Sequence, residues 1–486
     1  MNKKNFNKIV KLTNFFFNCL INNKINLVKY CDFFYVLNAH PLNLKKYFFF
    51  KNTKYNFIFF FKLFTESIKN IIYIFYRFLD KNYFYSININ KKVDVIFFSH
   101  LINLSHVNNN KDFYFGNLPK LLNKSSITVL NNQTELSHSQ LIKKNNNKKK
   151  NIIVLSKYVG FKNELIILRL VFCNTIKLFA QKKNFKSKEK IIIFKNLILN
   201  ILNQSTFKNI RFSMQIIKIL QIHSPKKILF TFEGHCYEKI IIDTVKSYNK
   251  SIECIAYQHS IIFPDQPSLL RPNDISLQPD KIFTSGLKGK NILKSIYNKS
   301  KIYVIGNPRH EKKRIDFNKK KNICLLIPDG TIDETKKMLE LVPKNKFLKN
   351  CNIEFLVRFH PSMSNFFLNN DNLNIKFSKN TLSQDLENCS WAVYRGSGAI
   401  VHCLGHGIRP IYYYYHKNDL SIDPLHDLRK FKKKICNFKE LNKIIKFDIN
   451  NNFPYNDKDF ILDCSASSNF YFSKMKYSFA KKLILR

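Results

Sequence analysis

The feature that most constrains the fold is a repeated local pattern. It consists of a short, continuously apolar run, a polar or glycine-containing loop, and a segment with apolar residues at helical spacing. In one such unit the apolar run covers 227–232, the loop is Glu233-Gly234-His235, and the helical segment covers 237–248. Unbroken apolar runs predict strands that are buried on both faces, as in parallel sheets covered by helices. The pattern therefore predicts an α/β protein with Rossmann-like, doubly wound sheets.

The units form two groups, and 486 residues exceed what one hydrophobic core usually serves. One group lies within 91–312 and the other within 322–486, and a basic stretch at 311–321 without an apolar pattern separates them. Residues 1–90 are rich in aromatic side chains and have a blurred helical periodicity. We predict two Rossmann-like domains that face a cleft, preceded by a mainly helical extension.

The net charge of +48, from 81 Lys and Arg against 33 Asp and Glu, would ordinarily suggest nucleic acid or an anionic membrane as a partner. The lysines are dispersed, however, and Asn, Ile, Phe and Tyr are also abundant while Gly is scarce, as AT-rich coding sequences impose. The aromatic residues fall by pattern in strand and helix cores rather than on stacking surfaces. No nucleic-acid partner is expected, and a basic nucleic-acid-binding protein without catalysis is kept as an alternative.

Eleven cysteines occur singly, without CxxC pairs or metal-ligand spacing, which predicts reduced thiols in a cytoplasmic protein and no metal site. The most apolar early segment, 57–75, is interrupted by Lys62, Glu66 and Lys69. It therefore falls short of the roughly 20 apolar residues that a membrane span needs. We predict a buried or interfacial helix, and peripheral contact with the inner face of the plasma membrane remains open.

The loop with the strongest signal is Arg395-Gly396-Ser397-Gly398, between an apolar run and a helical segment. Ligands of open α/β sheets bind outside the carboxyl ends of the strands, where this loop is expected. Two glycines allow close backbone approach, the helix start favours an anion, and Ser397 and Arg395 add donors. The loop predicts a phosphate site. The alternative is a tight turn capped by Ser397.

Two neighbouring loops add to this predicted site, Asp329-Gly330 and the stretch from Arg358 through His360 to Pro361. His360 could bond a phosphate or a ribose hydroxyl with Arg358 alongside, or serve only a structural turn that Pro361 ends. Gly330 could present main-chain N–H groups. Asp329 could hold a ribose or simply begin a helix.

The first group of units offers acid–base residues at its strand ends. Glu233 and His235 could take a proton from an attacking hydroxyl, and His259 is the competing base. The alternative is that Glu233 only caps the helix that follows. Further polar residues at strand ends are His100, Gln258, Ser260 and Arg309. Arg309 could reach a phosphate from the opposite domain or clamp the hinge.

The order of these motifs resembles that of bacterial glycosyltransferases of capsule and lipopolysaccharide synthesis, which have the GT-B fold. The motifs are EGHxYEK at 233–239, YQHS at 257–260, TSG at 284–286, IGNPR at 305–309, PDG at 328–330, RFHP at 358–361 and YRGSGAIVHCLGHGIRPIYY at 394–413. RFHP and the Ser397 loop also resemble the HP and Ser motifs of bacterial sialyl- and polysialyltransferases. The resemblance implies that His360 and Ser397 bind the phosphate of the nucleotide-sugar donor, for instance a CMP-sugar, and that Glu233 is the general base.

The resemblance also implies what the protein does. It would be a cytoplasmic, metal-independent glycosyltransferase that moves a sugar from a nucleotide-sugar, with no separate cofactor, to a cell-surface glycan or glycolipid. The acceptor would lie against 91–312, near His100, Gln258 and Ser260, and the donor against 322–486. The alternatives within enzymes are a CDP-polyol phosphotransferase and a sugar-nucleotide epimerase of the same fold.

Overall fold

The structure is a computed structural model. It describes residues 3–35, 56–76, 84–85, 92–102, 111–122, 125–133, 151–270, 272, 277–310, 320–343, 353–360, 363, 374–415, 421–428, 430–453 and 457–486. The predicted linker at 311–321 lies almost wholly outside these residues.

The first part of the chain forms a sheet in the strand order β1-β4-β3-β2-β5-β6-β7-β8. Its strands are β1 (Phe84–Tyr85), β2 (Val95–Leu101), β3 (Ser126–Asn132), β4 (Ile152–Leu155), β5 (Lys227–Thr231), β6 (Glu253–Gln258), β7 (Lys281–Thr284) and β8 (Lys301–Val304). All pairs are parallel except the edge pair of β1 with β4. The strand predicted from the unit at 227–232 is thus confirmed.

Helices cover both faces of this sheet, which is why its central strands β2, β3, β5 and β6 are mostly buried. They are α1 (Lys3–Asn22), α2 (Asn56–Tyr76), α3 (Leu118–Leu122), α4 (Phe161–Ala180), α5 (Lys188–Ile201), α6 (Gln204–His223), α7 (Cys236–Tyr248), α8 (Pro267–Leu270) and α9 (Leu287–Lys294). Short 3-10 turns at Asn26–Tyr30, Asp32–Phe34 and Gln181–Asn184 complete this part.

The second part forms a wholly parallel sheet in the order β11-β10-β9-β12-β13-β14. Its strands are β9 (Ile323–Ile327), β10 (Glu354–Val357), β11 (Ile375–Phe377), β12 (Trp391–Tyr394), β13 (Arg409–Tyr413) and β14 (Lys433–Ile435). Its helices are α10 (Ile332–Glu340), α11 (Leu382–Asn388), α12 (Ile400–Gly405), α13 (Phe438–Asn450), α14 (Lys458–Tyr471) and α15 (Tyr477–Leu485). Two parallel-stranded units flanked by helices confirm the predicted two-domain Rossmann-like fold class.

Where the structure describes residues 1–90, they are mainly helical, as predicted, and they share the core of the first sheet. Phe16, Leu27 and Phe59 belong to one buried cluster with Ile96 and Phe230, which lie on β2 and β5. The aromatic side chains of this segment are therefore used as packing surface for the first domain. Residues 1–90 and 91–312 form one hydrophobic unit where the structure describes them.

The last helix does not pack where its sequence position suggests. The sequence pattern predicts that all of 322–486 lies in the second domain, but Met475, Ala480 and Ile484 are buried in a cluster with Val95 and Leu229 of the first sheet. The amphipathic pattern of α15 shows that it has one apolar face, and it cannot show which sheet covers that face. The chain thus crosses back to the first domain at its end.

Candidate functional site

The candidate site lies where each sheet reverses its strand order. In the first sheet the chain progresses outward from β2 in one direction and from β5 in the other, so the reversal falls between these two neighbours. In the second sheet it falls between β9 and β12. Loops diverge at such a point and leave a crevice at the carboxyl edge of the sheet. The predicted residues His100, Glu233, Gly330 and Ser397 all lie on these strands or directly after them.

The centre of the first-domain site is a pair of facing groups in the loop after β5. The Nε2 atom of His235 lies 3.2 Å from Oε2 of Glu233. The second carboxylate oxygen of Glu233 lies 3.7 Å from Nε2 of His259, which follows β6. The Ser260 side chain also hydrogen-bonds Glu233. The structure thus brings together the three predicted acid–base residues and one predicted acceptor-side residue.

The protonation states of this group follow from its surroundings. Burial acts to raise the pKa of Glu233, but the imidazole groups of His259 and His235 and the Ser260 hydrogen bond bring it well below its usual range. Burial acts to lower the pKa of His235, yet its hydrogen bond to Glu233 and the charge of Glu238 raise it to about 9. Glu233 and His235 therefore form a carboxylate–imidazolium pair at neutral pH.

His259 has the opposite character. Burial, together with the positive charges of Arg309 and His235, lowers the pKa of His259 to about 4 despite the attraction of Glu233. Its Nδ1 lies 3.5 Å from Nη2 of Arg309, a group that can only donate. That contact assigns the acceptor role to Nδ1, so the hydrogen of the neutral ring is on Nε2 and faces Glu233. At neutral pH Glu233 is thus the ionised group of the two, and His259 is a neutral ring whose hydrogen faces the carboxylate.

A residue that the sequence analysis did not single out holds this loop in place. The carboxylate of Glu238 accepts hydrogen bonds from the backbone N–H groups of Glu233 at 2.7 Å, Gly234 at 2.7 Å and His235 at 3.0 Å. Glu238 is fully buried, and burial raises its pKa to about 7. It closes a capping box at the start of α7, while Gly234 at φ +90° makes the turn. The sequence signal was the Glu three residues after His235.

Aromatic rings line the same edge of the first sheet. The ring of Tyr114 lies 4.7 Å from that of His259 and 5.7 Å from that of His100. Neither the length nor the periodicity of the segment around Tyr114 predicted this contact. Gly116, at φ +59°, was the available signal, because it is one of only two glycines before residue 233.

The other two predicted acceptor-side residues, His100 and Gln258, make different contacts. His100 faces the site, with Nε2 3.2 Å from the hydroxyl of Thr231, and burial lowers its pKa to about 3. The amide nitrogen of Gln258 donates to the carbonyl of Ser260, and its amide oxygen packs against Gly289 of α9. Gln258 thus braces the loop after β6, and its predicted contact with an acceptor stays a prediction.

In the second domain, Gly330 and His360 are in direct contact at the ends of β9 and β10. Gly330 has φ +92°, and a Cβ built on it would lie 2.7 Å from Cγ of His360. Burial lowers the pKa of His360, whereas the carboxylates of Asp329 and Glu233 raise it. The pKa of His360 therefore depends on one carboxylate from each domain. Pro361, predicted for the same loop, lies outside the described residues.

Asp329 is engaged within its own loop. Its carboxylate accepts from the backbone N–H of Thr331 at 2.8 Å and from the Thr331 hydroxyl at 3.0 Å. This fits the helix-start alternative for Asp329. Burial raises the pKa of Asp329, against the opposing effects of the Thr331 hydrogen bonds and of the charges of Arg395 and His360. These groups therefore lie close together at the carboxyl ends of the strands.

The two predicted phosphate-binding arginines of the second domain have protein partners. Arg395 is 2% exposed, with Nε 2.8 Å from Oε2 of Glu334 and its guanidinium carbon 3.9 Å from the ring centre of Tyr415. Arg358 donates from Nη1 to Asp385 at 2.8 Å and to the carbonyl of Asn380 at 2.7 Å. Both arginines brace the strand ends, and a phosphate contact stays a prediction for each.

The loop after β12 has the predicted compact form. The hydroxyl of Ser397 is contacted by the backbone N–H of Ala399 at 3.4 Å, and α12 begins at Ile400. Ser397 is 6% exposed, and Gly396 is also buried. This contact fits the Ser-cap alternative and is compatible with a phosphate above the helix start. The ligand role of Ser397 stays a prediction.

The two carboxyl edges touch at this loop. Ile261, two residues after His259, belongs to the buried cluster of the second domain, and a Cβ on Gly398 would lie 3.6 Å from its Cδ1. Arg309, in the loop after β8, is exposed and lies with its guanidinium 4.8 Å from the ring centre of Phe113. The acid–base loops of one domain thus adjoin the glycine loops of the other.

No model of a protein family matches the sequence, and no curated protein does. Similar solved structures include the glycotransferase of kitacinnamycin, at a TM-score of 0.46 and 8% identity, covering 81% of this chain and 98% of that one. The UDP-GlcNAc 2-epimerase of Methanocaldococcus jannaschii, in complex with UDP-GlcNAc and UDP, has a TM-score of 0.45 and 13% identity, covering 81% and 100%. The glycosyltransferase SnogD of Streptomyces nogalater has 0.43 and 10%, also covering 81% and 100%. At these values the neighbours assign neither activity nor substrate to this chain.

Proposed function

We propose that this protein is a glycosyltransferase that moves a sugar from a nucleotide-sugar to a glycan or glycolipid acceptor of the cell surface. The proposal rests on the close approach of loops from the two sheets that carry different kinds of residue. Glu233 and His235 supply acid–base groups on one side, and Gly330 and His360 supply a backbone turn and an imidazole on the other. The close approach of Ile261, after β6, to Gly398, after β12, supports a shared site.

In the proposed reaction the acceptor hydroxyl attacks the anomeric carbon of the donor. The new bond joins the acceptor oxygen to that carbon, the bond from the carbon to the phosphate oxygen breaks, and its electron pair leaves with the nucleotide. The acceptor proton passes to Glu233, which is ionised at neutral pH. His235 holds the carboxylate in place, and the neutral His259 bears its hydrogen toward it.

The donor phosphate is proposed to lie between the turn at Gly330, the imidazole of His360 and the start of α12 at Ser397. Main-chain N–H groups at a helix start favour an anion, and an exposed imidazole adds a donor. A CMP-sugar is one donor that this arrangement would suit, since it presents a single phosphate.

The test is a transfer assay with the intact chain and a panel of CMP-, CDP-, UDP- and GDP-linked sugars, each with a glycan or glycolipid acceptor. Nucleotide release and the mass of the acceptor are both followed. Glu233→Gln should lower kcat by a factor of about 100 or more while nucleotide binding is retained. Glu189→Gln, at an exposed carboxylate on α5, is the matched control and should leave transfer unchanged.

Two outcomes would overturn the proposal. One is conversion of a nucleotide-sugar into its epimer without any acceptor, which would favour the epimerase alternative. The other is equal transfer by wild type and Glu233→Gln, which would remove the proposed base.

A further inference from the structure

The side of α2 that faces away from the protein carries apolar side chains from Phe60 to Phe75. Phe64, Ile72 and Phe75 are 62%, 61% and 64% exposed, and Phe60, Phe61, Ile68 and Ile71 are exposed beside them. The opposite side is docked, because Phe59 is buried in the first core and the Asn70 amide donates to the carbonyl of Leu202 at 2.6 Å. A contiguous exposed apolar surface of this kind marks an interaction site.

The surface continues onto α4. The rings of Phe75 and Phe161 lie 6.5 Å apart and join the two helices. From there α4 presents Leu165, Ile166, Leu170 and Ile176, all exposed. We call the exposed residues Phe60, Phe61, Phe64, Ile68, Ile71, Ile72, Phe75, Leu165, Ile166, Leu170 and Ile176 the apolar face.

The exposed charged side chains of α4 are all positive. Lys162, Arg169 and Lys177 occupy exposed positions of α4 among its apolar side chains. The single carboxylate of α4, Glu164, is fully buried and lies 2.8 Å from Nε of Arg211. On α2, Lys69 and Glu66 pair at 2.8 Å and offset each other.

The apolar face and the cationic rim formed by Lys162, Arg169 and Lys177 together fit a bilayer that carries anionic headgroups. Such helices lie in the interface with their apolar side chains among the acyl chains, while Lys and Arg reach the headgroups. A second copy of the chain would instead bring like charges together across a two-fold interface. Among the described residues, no helix combines the length and apolar character needed to cross a membrane.

We propose that the apolar face of α2 and α4 binds the surface of an anionic lipid bilayer. This inference does not depend on the proposed transferase activity. It would place the first domain, with Glu233, at the membrane surface.

The test is flotation of the intact chain with vesicles of phosphatidylglycerol and phosphatidylcholine. A chain with a net charge of +48 adsorbs to any anionic surface, so the readout is the difference between two matched triple variants. Phe64→Ser, Ile72→Ser and Phe75→Ser together should weaken binding by about tenfold or more. The control, Phe447→Ser, Leu462→Ser and Phe479→Ser, removes exposed apolar side chains elsewhere and should bind as wild type.

The cationic rim is tested in the same way. Lys162→Gln, Arg169→Gln and Lys177→Gln should lower binding, while Lys439→Gln, Lys443→Gln and Lys446→Gln, on the exposed side of α13, change the net charge equally and should not. Circular dichroism and urea unfolding confirm that each variant is folded. Equal binding by the α2 variant and its control would overturn the proposal. So would a wild-type dimer that the α2 variant dissociates without any change in vesicle binding.

Discussion

Gly330 and His360 are packed so closely that a methyl group on Gly330 would lie 2.7 Å from Cγ of the imidazole. The glycine also has φ +92°, which L side chains rarely adopt. This contact fixes the imidazole above the turn where the donor phosphate is proposed to bind. Displacing the ring should therefore reduce nucleotide binding.

Gly330→Ala tests this relationship. It should lower nucleotide affinity by about tenfold, because the new methyl group drives His360 out of position, and it should cost about 1–2 kcal/mol of stability from the positive φ. Gly160→Ala is the matched control, since Gly160 has φ +89° with nothing within 4 Å of the added carbon. Calorimetric titration should show a loss of affinity for Gly330→Ala alone. Equal losses would mean that backbone strain, and not His360, is responsible.

Glu238→Gln should loosen the loop that carries Glu233 and His235. An amide has one acceptor oxygen in place of two, so it leaves at least one of the three backbone N–H groups without its partner. The expected loss is about 1–3 kcal/mol of unfolding free energy, with lower transfer activity. Urea unfolding and the transfer assay measure the two effects. Wild-type stability and activity in Glu238→Gln would show that the loop is held by other contacts.

Arg395 and Glu334 should behave as a coupled buried pair. Removing the cation alone, in Arg395→Met, leaves a buried carboxylate and should cost about 3–5 kcal/mol. In Arg395→Met with Glu334→Gln the loss should be smaller than the sum of the single changes by more than about 1 kcal/mol. Nucleotide affinity in the folded double variant tests the predicted phosphate contact of Arg395. A large loss of affinity would support that contact, and wild-type affinity would show that Arg395 serves only the ion pair.

Stability should fall on the acid side of neutrality. The pKa values of His259 and His402 are lowered to about 4 and about 3, first by burial and then by neighbouring positive charges, so both rings are neutral in the folded chain. The unfolded chain takes up these protons near pH 6.5. The contribution of each ring is therefore present above about pH 6.5 and is lost as the pH falls, toward about 4 for His259 and about 3 for His402 on α12.

His235 has the opposite sign. Its pKa is raised to about 9, so its contribution is present below about pH 6.5 and is lost as the pH rises through about 9. Urea unfolding across this range should give a maximum near neutrality. His402→Gln should reduce the acid slope by up to about 1.4 kcal/mol per pH unit. A slope unchanged by His402→Gln would contradict the neutral buried ring.

Much of the fold could be predicted because parallel strands buried on both faces leave an unmistakable pattern. The apolar run at 227–232, for example, predicts β5 (Lys227–Thr231) to within one residue. The position of α15 could not be predicted, because an amphipathic helix does not specify which sheet covers it. The contact of Tyr114 with His259 could not be predicted either, because it joins residues far apart in sequence.

The candidate site, too, could be predicted only in part. The loops were found from glycines and polar residues after strands, because these residue types are constrained where a backbone turns at a sheet edge. Which way each side chain points was not predictable. Arg395 turns into the protein toward Glu334, and Gln258 turns toward Gly289, because neighbours from other elements provide their partners.

We propose that one nucleotide binds at the carboxyl ends of the strands of the second sheet, next to Glu233 of the first domain. Calorimetric titration of the intact chain with CMP, CDP, UDP and GDP tests it most directly. We expect one of these to bind at one site per chain, with His360→Ala and Ser397→Ala each weakening it by about tenfold or more, while Ser295→Ala, at an exposed serine, does not. Binding by none of the four, or equal affinity in wild type, His360→Ala and Ser397→Ala, would contradict it.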